Sequence, residues 1–440
     1  MDTEQPVQSF LLFSDVHFDP FADPTIVSTL AASSVSGWKT ILSASSQTTP
    51  SQYGQDTNYA LLESSLDSMA AQAGDVDLVV FPGDVLSHGF WNKYPELTGD
   101  QSQAGLASFM QKTVEFFVQE VDERFPEATI LVAIGNNDSF NGDYKSSPGD
   151  LYRWMSADAM GKAFFNNDAD RTAFTIGYAT GGYYAIEPDG PTGLKYIVLN
   201  DVYWSTKSDQ TAAGLLELGW FASQLADSAQ DFQKVWVVTH IPAGGNAKSM
   251  ADDFAAKGFE YKGLLQDGFN NAFVALEGYY SNTIAANLVG HTHRDEFRLL
   301  SLEPFAEPST LISTSLSISP IDNNNPGYEI YTYSDTTGTL LDKTTYALDL
   351  SQQGSTFALE YDFAATYGHG LAAPSDWAAV ANAIVLDPAS RSAYSANYTA
   401  GATWDASSSV TSATFPVYWL ADTQVTPAGF NTAAALLTLA

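Results

Sequence analysis

Five short apolar runs in this chain each end in Asp, Asn or His. Phe10-Leu11-Leu12-Phe13 precedes Asp15 and His17, Val76 to Phe81 precedes Asp84, and Ile130 to Ile134 precedes Asn136; Val235 to Val238 precedes His240, and Ala285 to Val289 precedes His291 and His293. Runs this short, interrupted only by Asp77 and Asn287, read as strands buried on both faces, the pattern of a parallel sheet covered by helices. One Asp or His after a strand is ordinary turn chemistry. Five in succession, with glycine directly ahead of Asp84, Asn136 and His291, gather oxygen and nitrogen donors at the strand exits, where open α/β sheets bind their ligands. Glycine at those positions lets the backbone turn sharply and pass close to a crowded donor shell.

The segments between the runs supply crossovers. Leu62, Leu66, Met69 and Ala73 recur at helical spacing, Phe109 to Phe125 and Leu215 to Leu225 are helix-like, and Tyr196 to Leu199 is a further strand ending in Asn200-Asp201. Strand, helix, strand implies parallel neighbours. Leu311 to Ile318, Tyr328 to Tyr333 and Thr339 to Leu348 alternate or are β-rich, and are predicted to be antiparallel strands that complete a second sheet. Residues 40–57, rich in Ser, Thr and Gln, read as an exposed loop. Near residue 351 the texture changes to Ala, Ser, Tyr and Trp-rich segments such as Trp377 to Val385, so a main domain over 1–350 and a small, mostly helical subdomain over 351–440 are expected.

Composition narrows the chemistry. With 440 residues and 45% hydrophobic content the chain can fill a sizeable core. Its formal charge of -33 arises from 51 acidic against 18 basic residues, at only 16% charged, so it reflects scarcity of Lys and Arg. Such a surface repels nucleic-acid backbones and anionic lipid, so no nucleic-acid duplex is expected as a partner, and a phosphate-bearing ligand would have to be drawn in by bound cations. The absence of cysteine excludes disulfides, thiolate metal sites and Cys nucleophiles. No run reaches the ~18 apolar residues of a membrane span. Abundant Ser, Thr, Asn and Ala with few Lys suggest an exported protein, periplasmic or extracellular, whose leader has been removed, with the cytoplasm as the alternative. Donors without thiolates suit zinc, manganese or iron. Asp15, His17, Asp84, Asn136, His240, His291 and His293 are too many for one ion and about right for two sharing a bridging carboxylate.

The order Asp15-x-His17, Gly83-Asp84, Gly135-Asn136, His240 and Gly290-His291-x-His293 is similar to that of the calcineurin-like metallophosphoesterases. Asp15 to Asp19, Gly83 to Trp91, His240-Ile241-Pro242-Ala243-Gly244 and Gly290 to Phe297 look more closely like acid sphingomyelinase and its phosphodiesterase relatives, and the likeness continues through Ser319-Pro320, Asn325 to Tyr328, Tyr367-Gly368 and Trp377. This resemblance implies a four-layer αββα sandwich with a helical C-terminal cap. It also implies two divalent cations, zinc first with manganese or iron behind it: one on Asp15, His17 and His293, the other on Asn136, His240 and His291, with Asp84 bridging. The implied activity is hydrolysis of small-molecule phosphoesters, diesters before monoesters, by a water between the ions and without a protein nucleophile.

Two departures qualify the likeness. The family follows Asn136 with a histidine taken to protonate the leaving oxygen, but here the catalytic position holds Asn137, whose carboxamide cannot be a general acid near neutral pH. His88, matching a histidine of the sphingomyelinase branch, is the candidate replacement acid; its alternative roles are bracing the loop or binding a phosphate oxygen. Second, no Cys-rich lipid-presenting segment precedes Asp15, which favours soluble phosphodiesters or nucleotides over lipids. Asn136, His88 and Arg294 are the candidate substrate contacts, with pairing to Asp295 or Glu296 as the alternative for Arg294. Trp91, Tyr203 and Trp204 are candidate pocket walls with core packing as their alternative, and His369 reads as a loop residue. Two other functions compete: a phosphomonoesterase or nucleotide pyrophosphate hydrolase, and a protein that binds metal and phosphate without turnover.

Overall fold

The computed structural model describes residues 7–187, 193–301, 306–402 and 410–439. In chain order its strands are β1 Val7–Leu12, β2 Leu78–Phe81, β3 Thr129–Val132, β4 Tyr184–Ile186, β5 Lys195–Val198 and β6 Val235–Val238. They are followed by β7 Ile284–Val289, β8 Phe297–Leu300, β9 Thr310–Thr314, β10 Gly327–Ser334, β11 Leu340–Ala347 and β12 Ala358–Asp362. Two six-stranded sheets result, in the orders β12-β11-β10-β1-β2-β3 and β4-β5-β6-β7-β9-β8. Parallel pairing joins β1, β2 and β3 in the first sheet and β5, β6, β7 and β9 in the second.

The inner faces meet through large aromatics. The Phe10 and Trp236 rings lie 4.7 Å apart, Trp236 and Tyr333 5.0 Å, and Trp236 donates its indole N–H to the Gly338 carbonyl at 2.7 Å. Burying such rings against one another contributes about 2–3 kcal/mol each and fixes the sheets face to face. The outer faces are covered by helices. Tyr59–Ala73 begins where Asn58 Oδ1 accepts the Leu61 N–H at 3.0 Å. It stops at Gly74, whose φ of 63° a non-glycine residue adopts only at a cost. This helix packs on β1 and β10, while Thr211–Gln230 packs on β5 and Asp267–Tyr279 on that second helix. The molecule is therefore the expected four-layer α/β sandwich with a helical C-terminal region.

Two expectations are corrected, and the first sheet is longer than the sequence shows. β10 and β11 do not complete the second sheet; β10 runs antiparallel beside β1, on the edge that β2 leaves open. Their alternation reports an antiparallel, half-buried strand but not which sheet it joins. The first sheet also continues past residue 350, because β12 pairs with β11 before the helices Pro374–Leu386, Pro388–Asn397, Phe415–Thr423 and Pro427–Leu439 begin. Finally, residues 40–57 are not wholly an exposed loop: helix Trp38–Ser43 enters the segment and its far end, Asp56 and Thr57, is buried. Its polar residues bond to one another, Ser51 Oγ donating to the Asp56 carbonyl at 2.7 Å. Composition alone does not separate internal from solvent hydrogen bonds.

Candidate metal centre

The loops leaving β1, β2, β3, β6 and β7 converge because their backbones are bonded to one another. Asp15 N–H donates to the Gly83 carbonyl at 3.1 Å, His17 N–H to that of Asp84 at 2.9 Å, and Gly290 N–H to that of His240 at 3.0 Å. The glycines have the expected steric reason. A Cβ on Gly135 would lie 2.0 Å from Asp84 Oδ1, and one on Gly290 2.1 Å from Ser14 Oγ. The local backbone is also strained: Asp15, His17, Asp84, His291 and His293 have φ of 50°, 44°, 63°, 73° and 60°. Left-handed conformations at non-glycine residues persist only where surrounding structure enforces them, and they gather at functional sites.

The donor atoms face one another. His293 Nε2 is 3.3 Å from Asp15 Oδ1 and 3.2 Å from His17 Nε2, which is itself 3.8 Å from Asp15 Oδ1. On the other side His240 Nε2 is 3.1 Å from Asn136 Oδ1 and 3.4 Å from Asp84 Oδ2. Asp84 Oδ2 lies between the two groups, 3.5 Å from His17 Nε2. The ring of His291 stands 5.1 Å from that of His240, and the Tyr144 hydroxyl 3.4 Å from its Nε2. Asp15-His17-His293 and Asp15-Asp84-His240 are each compact enough to hold one ion.

Hydrogen bonds aim these atoms. His17 Nδ1 faces the Leu86 carbonyl and His240 Nδ1 that of Pro82, both at 2.9 Å. A carbonyl only accepts, so Nδ1 carries the proton and Nε2 presents its lone pair to the centre. Asp143 accepts the Asn136 Nδ2 amide at 2.7 Å, which turns Oδ1 inward. Asp15 Oδ2 accepts the His291 N–H at 2.9 Å, but its Oδ1 is buried with no hydrogen-bond partner. A buried anionic oxygen without a donor is costly, and one facing imidazole nitrogens fits a cation among them.

Electrostatics agree with that assignment. Burial and the neighbouring His88 charge hold the His17 imidazole down to about 4, and burial with the His240 charge holds His291 at about 3, so both are neutral, as ligands must be. Burial works to raise the carboxyls of Asp15 and Asp84, but the surrounding histidines keep both well below the usual range. Burial opposes charge on His240 as well, yet Asp84 lifts it to about 10; its Nε2 attracts positive charge, a proton or a metal ion alike.

The other candidates separate into two groups. His88 lines the cleft over the centre together with Asn136, Tyr144, Lys207, Arg294 and Tyr398, a space of about 320 Å³. A cleft of that size suits a small ligand. The buried Arg294 donates to the carbonyls of His293 (3.2 Å) and Asp322 (2.7 Å) and to Asn324 Oδ1 (3.3 Å), not to Asp295 or Glu296. Those two are engaged by Lys343 and Arg298. Asn137 is buried behind Asp84, donating its N–H to Oδ1 at 2.7 Å and its carboxamide to Oδ2 at 3.1 Å. Trp204 is buried against Phe269, Tyr203 meets Arg153, and the Trp91 indole donates to the Ser139 carbonyl at 3.1 Å. His369 pairs with Asp376 at 3.6 Å in the C-terminal region.

Sequence reading missed three carboxylates that hold the loops. Asp138 accepts the backbone N–H of Asp84 and Val85 at 2.9 Å each, and Asp201 accepts those of His240 and Ile241 at 3.2 and 2.9 Å. Asp56 accepts from His88. Only their place after a strand or beside a motif marked the first two.

Residues 9–295 match the calcineurin-like phosphoesterase family, and the chain belongs to that family. Among curated relatives it is similar to sphingomyelinase phosphodiesterase C of Dictyostelium discoideum, 26% identical over 307 residues, which cover 66% of this chain and 62% of that protein. It is also similar to acid sphingomyelinase-like phosphodiesterase 3b of Homo sapiens, 25% identical over 74% of this chain and 70% of the relative. A cyclic GMP-AMP phosphodiesterase of Mus musculus is 24% identical over 83% of this chain and 78% of its own. The chain thus spans less than two thirds of the first of these relatives.

Proposed function

We propose that this protein hydrolyses phosphoesters, diesters in preference to monoesters, with two divalent metal ions. Asp15, His17 and His293 would hold one, Asn136, His240 and His291 the other, and Asp84 would bridge them. The observation that carries this reading is Asp15 Oδ1, buried without a donor while three imidazole Nε2 atoms lie within 4.0 Å of it. When bound, the ions would supply an activated water nucleophile and take charge from the phosphoryl oxygens. Zinc suits this nitrogen and oxygen donor set first, manganese or iron next.

The chain's own residues do the rest. While the ester P–O bond breaks and the attacking water releases its proton to solvent, His88 would give its Nε2 proton to the departing oxygen and regain one from solvent. Arg294, Tyr144 and Asn136 line the space where phosphate oxygens would lie. A small soluble phosphodiester or a nucleotide is the favoured substrate. The net charge of -33 disfavours an anionic lipid surface, and one relative is named for a cyclic dinucleotide.

Turnover of bis-p-nitrophenyl phosphate against p-nitrophenyl phosphate, before and after exhaustive chelation, tests the reading. The diester should be the better substrate, its hydrolysis should vanish on chelation, and zinc or manganese should restore it. Hydrolysis that survives complete metal removal would overturn the proposal, and a preferred monoester would move it to the monoesterase alternative. Two tightly bound ions without turnover of any ester would mark a binding protein.

A further inference from the structure

Beside the metal centre lies a third cluster, His17, Asp56 and His88, which is also compact enough for a cation. Its bonding argues against one. Asp56 already has three partners: Oδ1 meets His88 Nδ1 at 2.8 Å, and Oδ2 accepts the His88 backbone N–H at 3.0 Å and the Lys93 ammonium at 3.2 Å. A metal ion there would face the Lys93 charge, and His17 has its Nε2 committed to the centre.

We infer that Asp56 is the positioning residue for His88, holding its ring so that Nε2 meets the leaving oxygen of the substrate; this rests on the role proposed above for His88. A carboxylate on Nδ1 requires the proton at that nitrogen and leaves Nε2 for the cleft, the logic by which a buried Asp orients a catalytic imidazole. The second bond, from Asp56 to the His88 backbone, fixes the main chain as well as the ring.

Asp56 is itself fixed. Its side chain is 3% exposed against 43% for His88, so the carboxylate lies inside and the imidazole reaches into the cleft. The next residue, Thr57, is bonded through its N–H to the His17 carbonyl at 3.2 Å and through its carbonyl to Asp19 N–H at 2.8 Å. Phe18 bridges Thr57 on one side and Leu86 on the other, tying the Asp56 segment, the His17 loop and the His88 loop into one unit. Lys93 closes the frame, bonded to both Asp19 at 3.0 Å and Asp56. The His88 ring lies against that of His17, centroids 4.2 Å apart, which holds it beside the metal centre.

The test uses metal-loaded protein and two esters that differ in leaving group, bis-p-nitrophenyl phosphate and diphenyl phosphate. Nitrophenolate departs without help and phenolate needs a proton, so misplacing the acid should be felt mainly by the second. Asp56→Asn should lower kcat/KM on diphenyl phosphate at least about tenfold more than on the nitrophenyl ester, and Asp56→Glu should recover part of the difference. Equal losses on both esters, or none, would overturn the inference. A second readout needs no turnover and keeps the idea testable if the wild-type protein hydrolyses neither ester. With 15N-labelled histidine, the hydrogen-bonded Nδ1–H resonance of His88, assigned by its absence in His88→Ala, should disappear in Asp56→Ala, which leaves no acceptor at that position. Its persistence there would sink the assignment, whereas its loss in an inactive protein would leave the contact standing and remove only the hydrolytic reading.

Discussion

Asn137 clasps Asp84 with two donors, its backbone N–H on one carboxylate oxygen at 2.7 Å and its carboxamide on the other at 3.1 Å. A residue that resemblance marks as the place of a proton donor is thus buried, and it holds the carboxylate that lies between the two ligand groups. Groups that orient metal ligands in this way typically alter metal affinity by about 10–100-fold when removed. Asn137→Ala should therefore weaken metal binding by about that factor in a chelator competition, and should do so even for metals that support no turnover. Unchanged affinity would show the carboxamide contact to be incidental.

The same pair shows what the sequence could and could not say. Strand exits at Asp15, Asp84, Asn136, His240 and His291 were legible because buried parallel strands read as nearly continuous apolar runs and the donors follow them closely. Asp56 was not, since it sits in a Ser, Thr and Gln-rich stretch with no period, and only three-dimensional pairing of Thr57 with Phe18 brings it to His88. The position of Asn137 could be named, but not its direction, because neighbouring side chains in a tight loop diverge and a carboxamide can face a carboxylate or a ligand equally well. β10 and β11 were legible as strands and not as members of a particular sheet, since that choice is made by the open edge of β1.

Gly135 separates crowding from backbone strain. It does not need a left-handed φ, but a Cβ there would meet Asp84 Oδ1 at 2.0 Å and Asp84 N at 2.2 Å. Gly74, at the end of helix Tyr59–Ala73, has φ 63° with nothing within 4 Å of its would-be Cβ. Gly74→Ala, at φ 63° and ψ -145° where almost only glycine sits, should cost about 1–3 kcal/mol and keep the metal content of the wild type. Gly135→Ala should cost at least about 1–3 kcal/mol and also lose metal, because the displaced oxygen belongs to the carboxylate proposed to bridge the ions. Thermal melts with metal analysis on both variants decide this; retained metal in Gly135→Ala would contradict the geometry.

Two carboxyls remote from the metal centre predict how stability follows pH. Burial pushes Glu277 up to about 8 against the pull of its bond from Asn287, and burial pushes Glu329 to about 8 against the pull of Lys343. Each binds its proton more tightly folded than unfolded, where a glutamate titrates near ~4.3. Their contribution is complete below ~4.3 and is lost as pH rises through about 8. The depressed carboxyls of Asp15 and Asp84 titrate below this range, but the depressed imidazoles of His17 and His291 work the other way up to ~6.5, so the melting temperature should fall across the window from about pH 6.5 to about 8. Glu277→Gln keeps the shape without the proton and should flatten the slope by up to about 1.4 kcal/mol per pH unit. A melting temperature that rises across the window, or a Gln variant with an unchanged slope, would refute this.

Arg298 joins the C-terminal helices to the metal side of the molecule. It is wholly buried, donating to Glu296 Oε1 at 2.8 Å and to the Ala243 carbonyl at 2.7 Å, three residues beyond His240. Glu296 in turn accepts the hydroxyl of Tyr398, which lines the cleft, at 3.3 Å. Removing one member of a buried pair leaves an uncompensated charge, usually at about 3–5 kcal/mol, whereas replacing both by apolar groups of similar size is often nearly neutral. Arg298→Ala should therefore destabilise the protein by about that amount in urea unfolding, and Arg298→Met combined with Glu296→Leu should be markedly less harmful than Arg298→Met alone. The double replacement should still lower activity, because Tyr398 then loses the acceptor that sets its place at the cleft. If the single and double variants were equally destabilised, the two charges would not be coupled, and the C-terminal helices would be held to the sandwich by other contacts, such as the bond from Asn270 to the Val425 carbonyl at 2.9 Å.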